Sequence, residues 1–376
     1  MGSHLFEVLM KRLLAALSVL ALCGSALAQT RVVKAPWGKM PDGSTVELYT
    51  LTDARLTIAV TTFGAHITSI QAPDRAGSRA DIVLGYNDFA GYLADNKTYL
   101  GSVVGRYGNR IGKGRFTVGG KPVQLDLNNN GNTLHGGTTG FDRHNWTGKQ
   151  IPNGVELTLV SKDGDMGFPG TLTAHVKYQL LDDKLSIDYS ATTDQSTVLN
   201  LTQHTYFNLA GKGDILSQTL QLNADRYTPT DAGLIPTGQL APVEGTPFDF
   251  TRPTAIGARI HTPNEQLKLA GGYDHNWIVT SPHPLGIKPV AILADPASGR
   301  VLKIFTVEPA IQFYSGNFLD GSFHGRSGDA YQKYAGLCLE SQHYPDSPNH
   351  PDWPSTTLTP GKIYHTTTIW QFTTQK

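Results

Sequence analysis

A short segment of the chain, TVLNLTQHTYFNLAGKGD at residues 197 to 214, carries an unusual set of polar side chains. Hydrophobic and polar residues alternate along it, which predicts a β-strand because successive side chains of a strand point to opposite faces. The polar face contains no lysine or glutamate, although such residues are common on a strand face that meets water. It holds instead Asn200, Thr202, His204, Tyr206 and Asn208. An imidazole among amides, a hydroxyl and a phenol predicts the wall of a polar pocket.

A carboxylate stands inside a second apolar strand, in the stretch GLCLESQHYPDSPNHPDWP. Alternation places Cys338, Glu340 and Gln342 on one face of this strand, and Leu337 and Leu339 on the other. A carboxylate in such a position is rarely buried without a partner or a purpose. The long loop rich in proline and asparagine that follows is the kind of position where binding and catalytic residues are found.

Three further loops bring polar residues next to glycines. Asn109 and Arg110 occur in VVGRYGNRIGKGRF, His135 in NNNGNTLHGGTTGFDRHNW, and Asp274 in LAGGYDHNWIV. Each residue also fits a structural role, since Arg110 could be a surface arginine, His135 a turn cap and Asp274 a turn residue. On residue types alone, these features predict a secreted β-protein with a polar pocket.

The elements that would position these residues are β-strands. Runs rich in valine, isoleucine, threonine and aromatic residues recur along the chain, and turn-forming residues usually follow them. No convincing long amphipathic helix follows residue 30. The 376 residues include 40 glycines, and only 16% of them are charged, compared with about 25% in an average soluble domain. This composition predicts an all-β protein, with a single domain at residues 29–376.

The charge and the N-terminus limit the partners and the location. The net charge is zero and no basic run occurs, so nucleic acid is not an expected partner. From Met10, the stretch MKRLLAALSVLALCGSALA has a basic start, an apolar run and small residues at its end, the layout of a signal peptide. We predict that residues 1–28 are an N-terminal extension and signal peptide, cleaved after Ala28. The mature protein would be periplasmic or secreted, with no stable membrane association.

Cysteine and histidine spacing gives little support for a metal or a disulfide. Cys23 and Cys338 are the two cysteines, and loss of Cys23 with the signal peptide would leave no intramolecular disulfide. Cys338 is expected to be a buried, unreactive thiol. The histidines near the C-terminus match no short zinc-ligand pattern, and no phosphate-binding loop is present. The C-terminal histidines in question are His343, His350 and His365, which occur near Asp346 and Asp352. We therefore expect no metal and no cofactor.

Six segments together resemble one known family. In chain order they are GRYGNRIGKGRF, NNGNTLHGG, TQHTYFNLAG, YDHNW, IQFYSGNFLDG and CLESQHYPDSPN. Taken together they resemble the aldose 1-epimerase (galactose mutarotase) family, and the resemblance covers residues 35 to 374. It implies a large antiparallel β-sandwich, the galactose mutarotase-like supersandwich, with a sugar-binding cleft on a concave face.

The resemblance also implies roles for individual residues. His204 would be the general acid and Glu340 the general base in opening the ring of a free aldohexose such as glucose or galactose, interconverting its α and β anomers. The expected sugar-binding residues are Asn109, Arg110, His135 and Asp274, with Gln312 near the site. An imidazolium and a carboxylate suffice for this chemistry without a metal or redox cofactor. The protein would act as a monomer or homodimer.

Three alternatives remain open on the sequence. A glycoside hydrolase needs two carboxylates across the scissile bond, and Asp274 and Glu340 could supply them. A non-catalytic sugar-binding protein would need the cleft but neither His204 nor Glu340. An epimerase for phosphorylated hexoses would need several basic residues around the phosphate, and only Arg110 is evident among the site segments.

Overall fold

The computed structural model of the chain describes residues 30–280, 287–326 and 328–375. The predicted signal peptide, its cleavage position and Cys23 lie outside the described residues. Within them, strands dominate, and each pair of neighbouring strands in the sheets is antiparallel. The prediction of an all-β antiparallel fold is therefore confirmed. No helix among the described residues is long and apolar enough to cross a membrane.

The largest sheet has nine strands and extends to the C-terminal strand. Its members alternate buried and partly exposed residues, as in Leu172–Leu181, because one face packs on the core. In sheet order the strands are β11 (Thr147–Ile151), β12 (Gly154–Ser161), β13 (Leu172–Leu181), β14 (Lys184–Thr193), β28 (Tyr364–Thr374), β24 (Arg300–Thr306), β23 (Lys288–Ala294), β18 (Thr219–Leu222) and β21 (Thr254–Ala255).

A six-stranded sheet carries the acidic residues of the predicted site. Two of its central strands are buried on both faces, so apolar residues alternate with the few polar ones in them. In sheet order the strands are β17 (Tyr206–Phe207), β26 (Leu337–Gln342), β25 (Ala310–Tyr314), β22 (Asp274–Val279), β19 (Ala224–Thr228) and β20 (Ala241–Pro242).

The remaining strands form a five-stranded meander and four two-stranded pairs. The meander contains β1 (Arg31–Lys39), β2 (Thr45–Thr52), β3 (Thr57–Thr61), β4 (Ile67–Pro73) and β5 (Arg79–Asp81). The pairs are β7 (Arg110–Ile111) with β10 (Thr133–Leu134), β6 (Val103–Val104) with β16 (Thr202–Gln203), β15 (Thr197–Val198) with β27 (Thr357–Leu358), and β8 (Arg115–Val118) with β9 (Lys121–Gln124).

The helices of the described residues are short. Both α-helices have six residues and begin at a side-chain cap, Asp88 for the first and Asn264 for the second. They are α1 (Phe89–Ala94) and α2 (Glu265–Ala270), and the 3₁₀ turns are Gly112–Gly114, Phe141–Arg143, Asp165–Gly167, Ile256–Ala258 and Ser347–Asn349.

One buried hydrophobic cluster joins the three large sheets. It contains Tyr49 of β2, Val176 of β13, Phe313 of β25 and Trp370 of β28, each at most 1% exposed. Because strands from both ends of the described chain share this core, the sheets form one rigid framework for the loops between them.

The strand predicted within residues 197–214 differs from expectation. The chain there forms three two-residue strands, β15, β16 and β17, which pair with three different partners. The side chains of its polar face are buried, and two of them bond to the backbone instead of facing a pocket. Asn200 donates to the Gly108 carbonyl and Asn208 to the Ala335 carbonyl, so both amides satisfy backbone groups of neighbouring loops. The prediction of one continuous strand is therefore wrong.

Candidate active site

A cavity of about 180 Å³ opens beside the six-stranded sheet, where β17 and β26 meet β7, the end of β10 and the loop before β6. Six of the seven predicted site residues line it, and Gln312 lies behind one of them. The lining residues are Lys97, Thr98, Tyr99, Asn109, Arg110, Leu134, His135, His204, Tyr206, Asp274, Tyr314, Phe318, Leu319, Asp320, Phe323 and Glu340.

His204 and Glu340 face each other across this cavity. His204 follows β16, and its backbone N–H donates to the Ser102 carbonyl at 2.8 Å. Glu340 lies in the middle of β26, which is held between β17 and β25. His204 Nε2 is 3.9 Å from Glu340 Oε1, and the two residues are only 5% and 2% exposed. The sheets thus fix an acid–base pair in a nearly dry environment.

Burial favours the neutral form of each partner. It lowers the pKa of His204 to about 4, and it raises the pKa of Glu340 well above its usual range. The nearby Asp274 carboxylate raises the pKa of Glu340 further, whereas the Arg110 guanidinium opposes the shift. Neutral histidine with protonated glutamate contains the same number of protons as imidazolium with carboxylate. At a pH between the lowered pKa of His204 and the raised pKa of Glu340, the pair therefore holds one exchangeable proton, which a transfer from Oε1 to Nε2 would move between the partners.

His135 is held as a hydrogen-bond donor to the cavity. Its Nδ1 accepts from the Asn109 backbone N–H at 3.1 Å, and burial keeps its pKa well below the usual range, so the ring is neutral with its proton on Nε2. The next residue, Gly136, has φ +93°, and a Cβ there would collide with the Gly105 carbonyl oxygen. The glycine after His135 is therefore required for the turn that presents the imidazole.

Asp274 is held by two neighbours. Gln312 Nε2 donates to Asp274 Oδ1 at 2.7 Å, and Arg110 Nη1 is 3.9 Å from Asp274 Oδ2. Burial raises the pKa of Asp274, and Arg110 opposes this shift. Gln312 does not line the cavity, since it stands opposite Glu340 in the register of β25 and β26 and supports Asp274 from the side.

Two buried oxygens of the site lack a hydrogen-bond partner in the described part of the chain. They are Glu340 Oε2 and Gln312 Oε1. Buried polar atoms are nearly always satisfied in folded proteins, so an unsatisfied carboxylate oxygen at a cavity indicates a position that a ligand completes. A ligand that donates hydrogen bonds, such as a hydroxyl compound, fits this requirement.

Several aromatic residues that line the cavity were not among the predicted site residues. Alternation placed Tyr206 on the polar face of its segment, but neither Tyr206 nor Tyr314, which lies in IQFYSGNFLDG, was named as a site residue. Their rings form an edge contact with centroids 5.8 Å apart. Tyr99 packs edge-on against His135 at 4.7 Å, and Phe318 at the rim is 59% exposed. Tyr99 lies in DNKTYLG, where no periodic pattern marks it.

One cluster of the described residues could bind a metal ion. His135, His204 and Glu340 each bring a ligand atom within 4.8 Å of the others. Zinc bonds of about 2.0–2.2 Å place tetrahedral ligands roughly 3.4 Å apart, so these side chains would have to move closer to hold zinc. The C-terminal histidines contact separate carboxylates: His343 pairs with Glu308, His350 with Asp346 and His365 with Asp188.

Comparisons with known proteins agree with this site. The family model for aldose 1-epimerase matches residues 47–371. The chain is 44% identical over 344 residues to galactose mutarotase of Mus musculus, covering 91% of this chain and 98% of that one. It is 40% identical over 341 residues to aldose 1-epimerase of Escherichia coli K12, covering 88% and 96%.

A solved structure resembles the fold over its full length. Galactose 1-epimerase from Lactobacillus acidophilus NCFM superposes with a TM-score of 0.81 at 29% identity, covering 92% of this chain and all of the other. The extent of these matches and the six motifs in order lead to one conclusion. The chain belongs to the aldose 1-epimerase family.

Proposed function

We propose that this aldose 1-epimerase interconverts the α and β anomers of free aldohexoses such as glucose and galactose by ring opening between His204 and Glu340. The observation that carries this proposal is the approach of Nε2 and Oε1 to 3.9 Å between two buried side chains that line one cavity. The ring oxygen and the anomeric hydroxyl of a pyranose are bonded to the same carbon. An acid and a base that serve these two oxygens must therefore lie close together.

Ring opening requires one proton to be donated to the ring oxygen and another to be removed from the anomeric hydroxyl. Once the proton of the pair has moved from Glu340 to His204, Glu340 removes the proton of the anomeric hydroxyl while His204 protonates the ring oxygen, which breaks the bond between that oxygen and C1. Rotation about the C1–C2 bond presents the other face of the aldehyde, and closure reverses both transfers. The single exchangeable proton of the pair supports this cycle, since one partner is always the acid when the other is the base.

The charges of the cavity favour an uncharged sugar. Among the described lining residues the cations are Lys97 and Arg110, and Arg110 already lies beside Asp274. Phosphate recognition uses several free basic groups, whereas Asp274, His135 and Asn109 offer the acceptors and donors that sugar hydroxyls need. The volume of about 180 Å³ is of the order of one pyranose ring.

Polarimetry on freshly dissolved α-glucose and α-galactose tests this function. Wild-type protein should accelerate the approach to the equilibrium rotation for at least one of the two sugars. Dialysis against EDTA should leave the rate unchanged, because the proposed mechanism uses no metal. A protein that binds the sugars without accelerating their anomerisation would instead be a non-catalytic sugar-binding protein.

We also propose that the mature chain, residues 29–376, is one periplasmic or secreted domain that acts as a monomer or homodimer without stable membrane association. The layout of residues 10–28 supports secretion. The shared core and the location of all proposed site residues in one chain support a complete active site per subunit. Intact mass of the protein recovered from the periplasm tests cleavage after Ala28, and light scattering tests the oligomeric state.

A further inference from the structure

Cys338 lies against the nitrogen of His204 that does not face Glu340. Its Sγ is 3.5 Å from His204 Nδ1, whereas Nε2 faces Glu340 Oε1 at 3.9 Å. Cys338 and Glu340 are two residues apart on β26 and point to the same side of it. One strand therefore supplies a partner for each nitrogen of the imidazole.

We propose that Cys338 is a positioning residue that accepts a hydrogen bond from Nδ1–H of His204, so that Nε2 is the nitrogen that releases and recovers the catalytic proton. The inference rests on the proposed role of His204 as general acid. The hydrogen bond made by one ring nitrogen determines the protonation of the other. With Nδ1 permanently protonated, every exchange occurs at Nε2, which faces Glu340 and the cavity.

The sulfur suits this task because it remains neutral. Burial raises the pKa of the Cys338 thiol well above its usual range, and negative charge on Glu340 or Asp274 would raise it further. A neutral sulfur is a weak acceptor, so it orients the ring without stabilising the imidazolium as a carboxylate would. His204 can then keep a low pKa and part readily with its proton. The Asp95 carboxylate and the backbone of His204 itself act in the opposite direction, but burial outweighs both.

Packing alone is the competing explanation. Cys338 has no exposed surface and packs in a cluster with Tyr206 and Tyr314, so a purely structural thiol would tolerate an apolar residue of similar size. Serine and valine separate the two roles. Cys338→Ser keeps an acceptor for Nδ1–H, whereas Cys338→Val fills the space and offers none.

Nitrogen-15 NMR of histidine-labelled protein reads the tautomer without turnover. Neutral His204 should be protonated at Nδ1 and bare at Nε2, the less common tautomer of histidine in water, in both wild type and Cys338→Ser. In Cys338→Val it should shift toward Nε2–H. Assignment uses the signal lost in His204→Gln. An Nε2–H tautomer in wild type, or an unchanged Nδ1–H tautomer in Cys338→Val, would overturn the proposal.

Kinetics provide the second measurement. Cys338→Val should lower kcat on the order of tenfold, a part of the ~10²–10⁴-fold that a general acid contributes, with little change in KM. Cys338→Ser should retain most of the activity. Ser341→Ala, which changes a buried side chain on the other face of β26, is the matched control. If Cys338→Val does not fold, Cys338→Ala replaces it. Equal kcat in the serine and apolar variants would contradict the proposal.

Failure of this inference is distinct from failure of the proposed function. If His204→Gln retains wild-type turnover, the general-acid role of His204 is wrong whatever the tautomer. If His204→Gln is inactive but the tautomer does not depend on Cys338, only the role of the thiol is wrong.

Discussion

Glu340 and His204 share one exchangeable proton, and the pH dependence of the reaction should report it. Below a pH of about 4 both partners are protonated, because His204 then takes up a proton, and no base remains. Above the raised pKa of Glu340 both are deprotonated, and no acid remains. We expect a bell-shaped profile of kcat/KM with its acidic limb near pH 4, measured by polarimetry after subtraction of the spontaneous rate. A flat profile would exclude the pair as the catalytic unit.

Replacing either partner should remove catalysis while the fold remains. Glu340→Gln cannot accept the hydroxyl proton, and His204→Gln has no group that titrates. Each should lower kcat by about 10²-fold or more. Sugar affinity, measured by calorimetry, and the melting temperature should change little, since the amides approximate the shape of the original groups. Near wild-type rates in both variants would mean that these residues line the cavity without reacting.

Asp274 should act on Glu340 through its charge. The Asp274 carboxylate raises the pKa of Glu340, so Asp274→Asn should lower that pKa and move the alkaline limb of the profile to lower pH. The amide keeps a group of similar shape beside Gln312, so measurable turnover should remain, with a higher KM. Recording kcat/KM against pH for this variant and wild type is the test, and an unmoved alkaline limb would contradict the coupling.

At the scale of elements, Asn200 ties two parts of the site together. Its Nδ2 donates to the Gly108 carbonyl at 3.0 Å, and its Oδ1 accepts from the His343 N–H at 3.0 Å. Gly108 lies just before Asn109 and Arg110, and His343 directly follows β26. The buried amide thus links the loop that binds the sugar to the strand that carries Glu340.

Removing this link should loosen the sugar-binding loop. Asn200→Ala leaves two backbone groups without their partner, which should lower the free energy of unfolding by about 1–3 kcal/mol for each group that stays buried and unsatisfied. We expect KM to rise more than kcat falls, because Asn109 and Arg110 move while His204 and Glu340 remain paired. Urea unfolding and steady-state kinetics test this. A large fall in kcat at unchanged KM would place the effect on the catalytic pair instead.

The elements also show what sequence could and could not predict. Strands such as β13 follow from period-2 alternation, and Glu340 was identifiable as a carboxylate among aliphatic residues. The break of residues 197–208 into three strands was not predictable, because the partners that pair with each piece are distant in sequence. For the same reason alternation could not separate His204, which lines the cavity, from Asn200 and Asn208, which satisfy backbone groups.

At the scale of the whole molecule, the cavity is built from elements that are distant from one another in the chain. The six-stranded sheet supplies Glu340 and Asp274, and separate two-stranded pairs bring Arg110 and His204. The shared core holds these pieces together, so burial acts on all their charges at once. The perturbed pKa values of the pair therefore follow from the architecture as a whole rather than from one contact.

The groups around the cavity distinguish the site of an epimerase from that of a glycosidase. A glycosidase places two carboxyl groups about 5–5.5 Å or 6.5–9.5 Å apart, one on each side of a bond to a leaving group. Here the group opposite Glu340 is the imidazole of His204, and the second carboxylate, Asp274, is engaged by Gln312 and Arg110. Asp274 is therefore suited to binding a hydroxyl rather than to protonating a leaving group.

We accordingly expect that wild-type protein releases no nitrophenol from nitrophenyl α- or β-glucosides and galactosides, under conditions in which it anomerises the free sugars. Such glycosides have no anomeric hydroxyl, so Glu340 finds no proton to remove and the ring cannot open. They should instead act as competitive inhibitors where their ring fits the cavity. Steady release that disappears in Asp274→Asn would identify Asp274 and Glu340 as a hydrolytic pair, whereas inhibition without release supports one pyranose ring bound between His204 and Glu340.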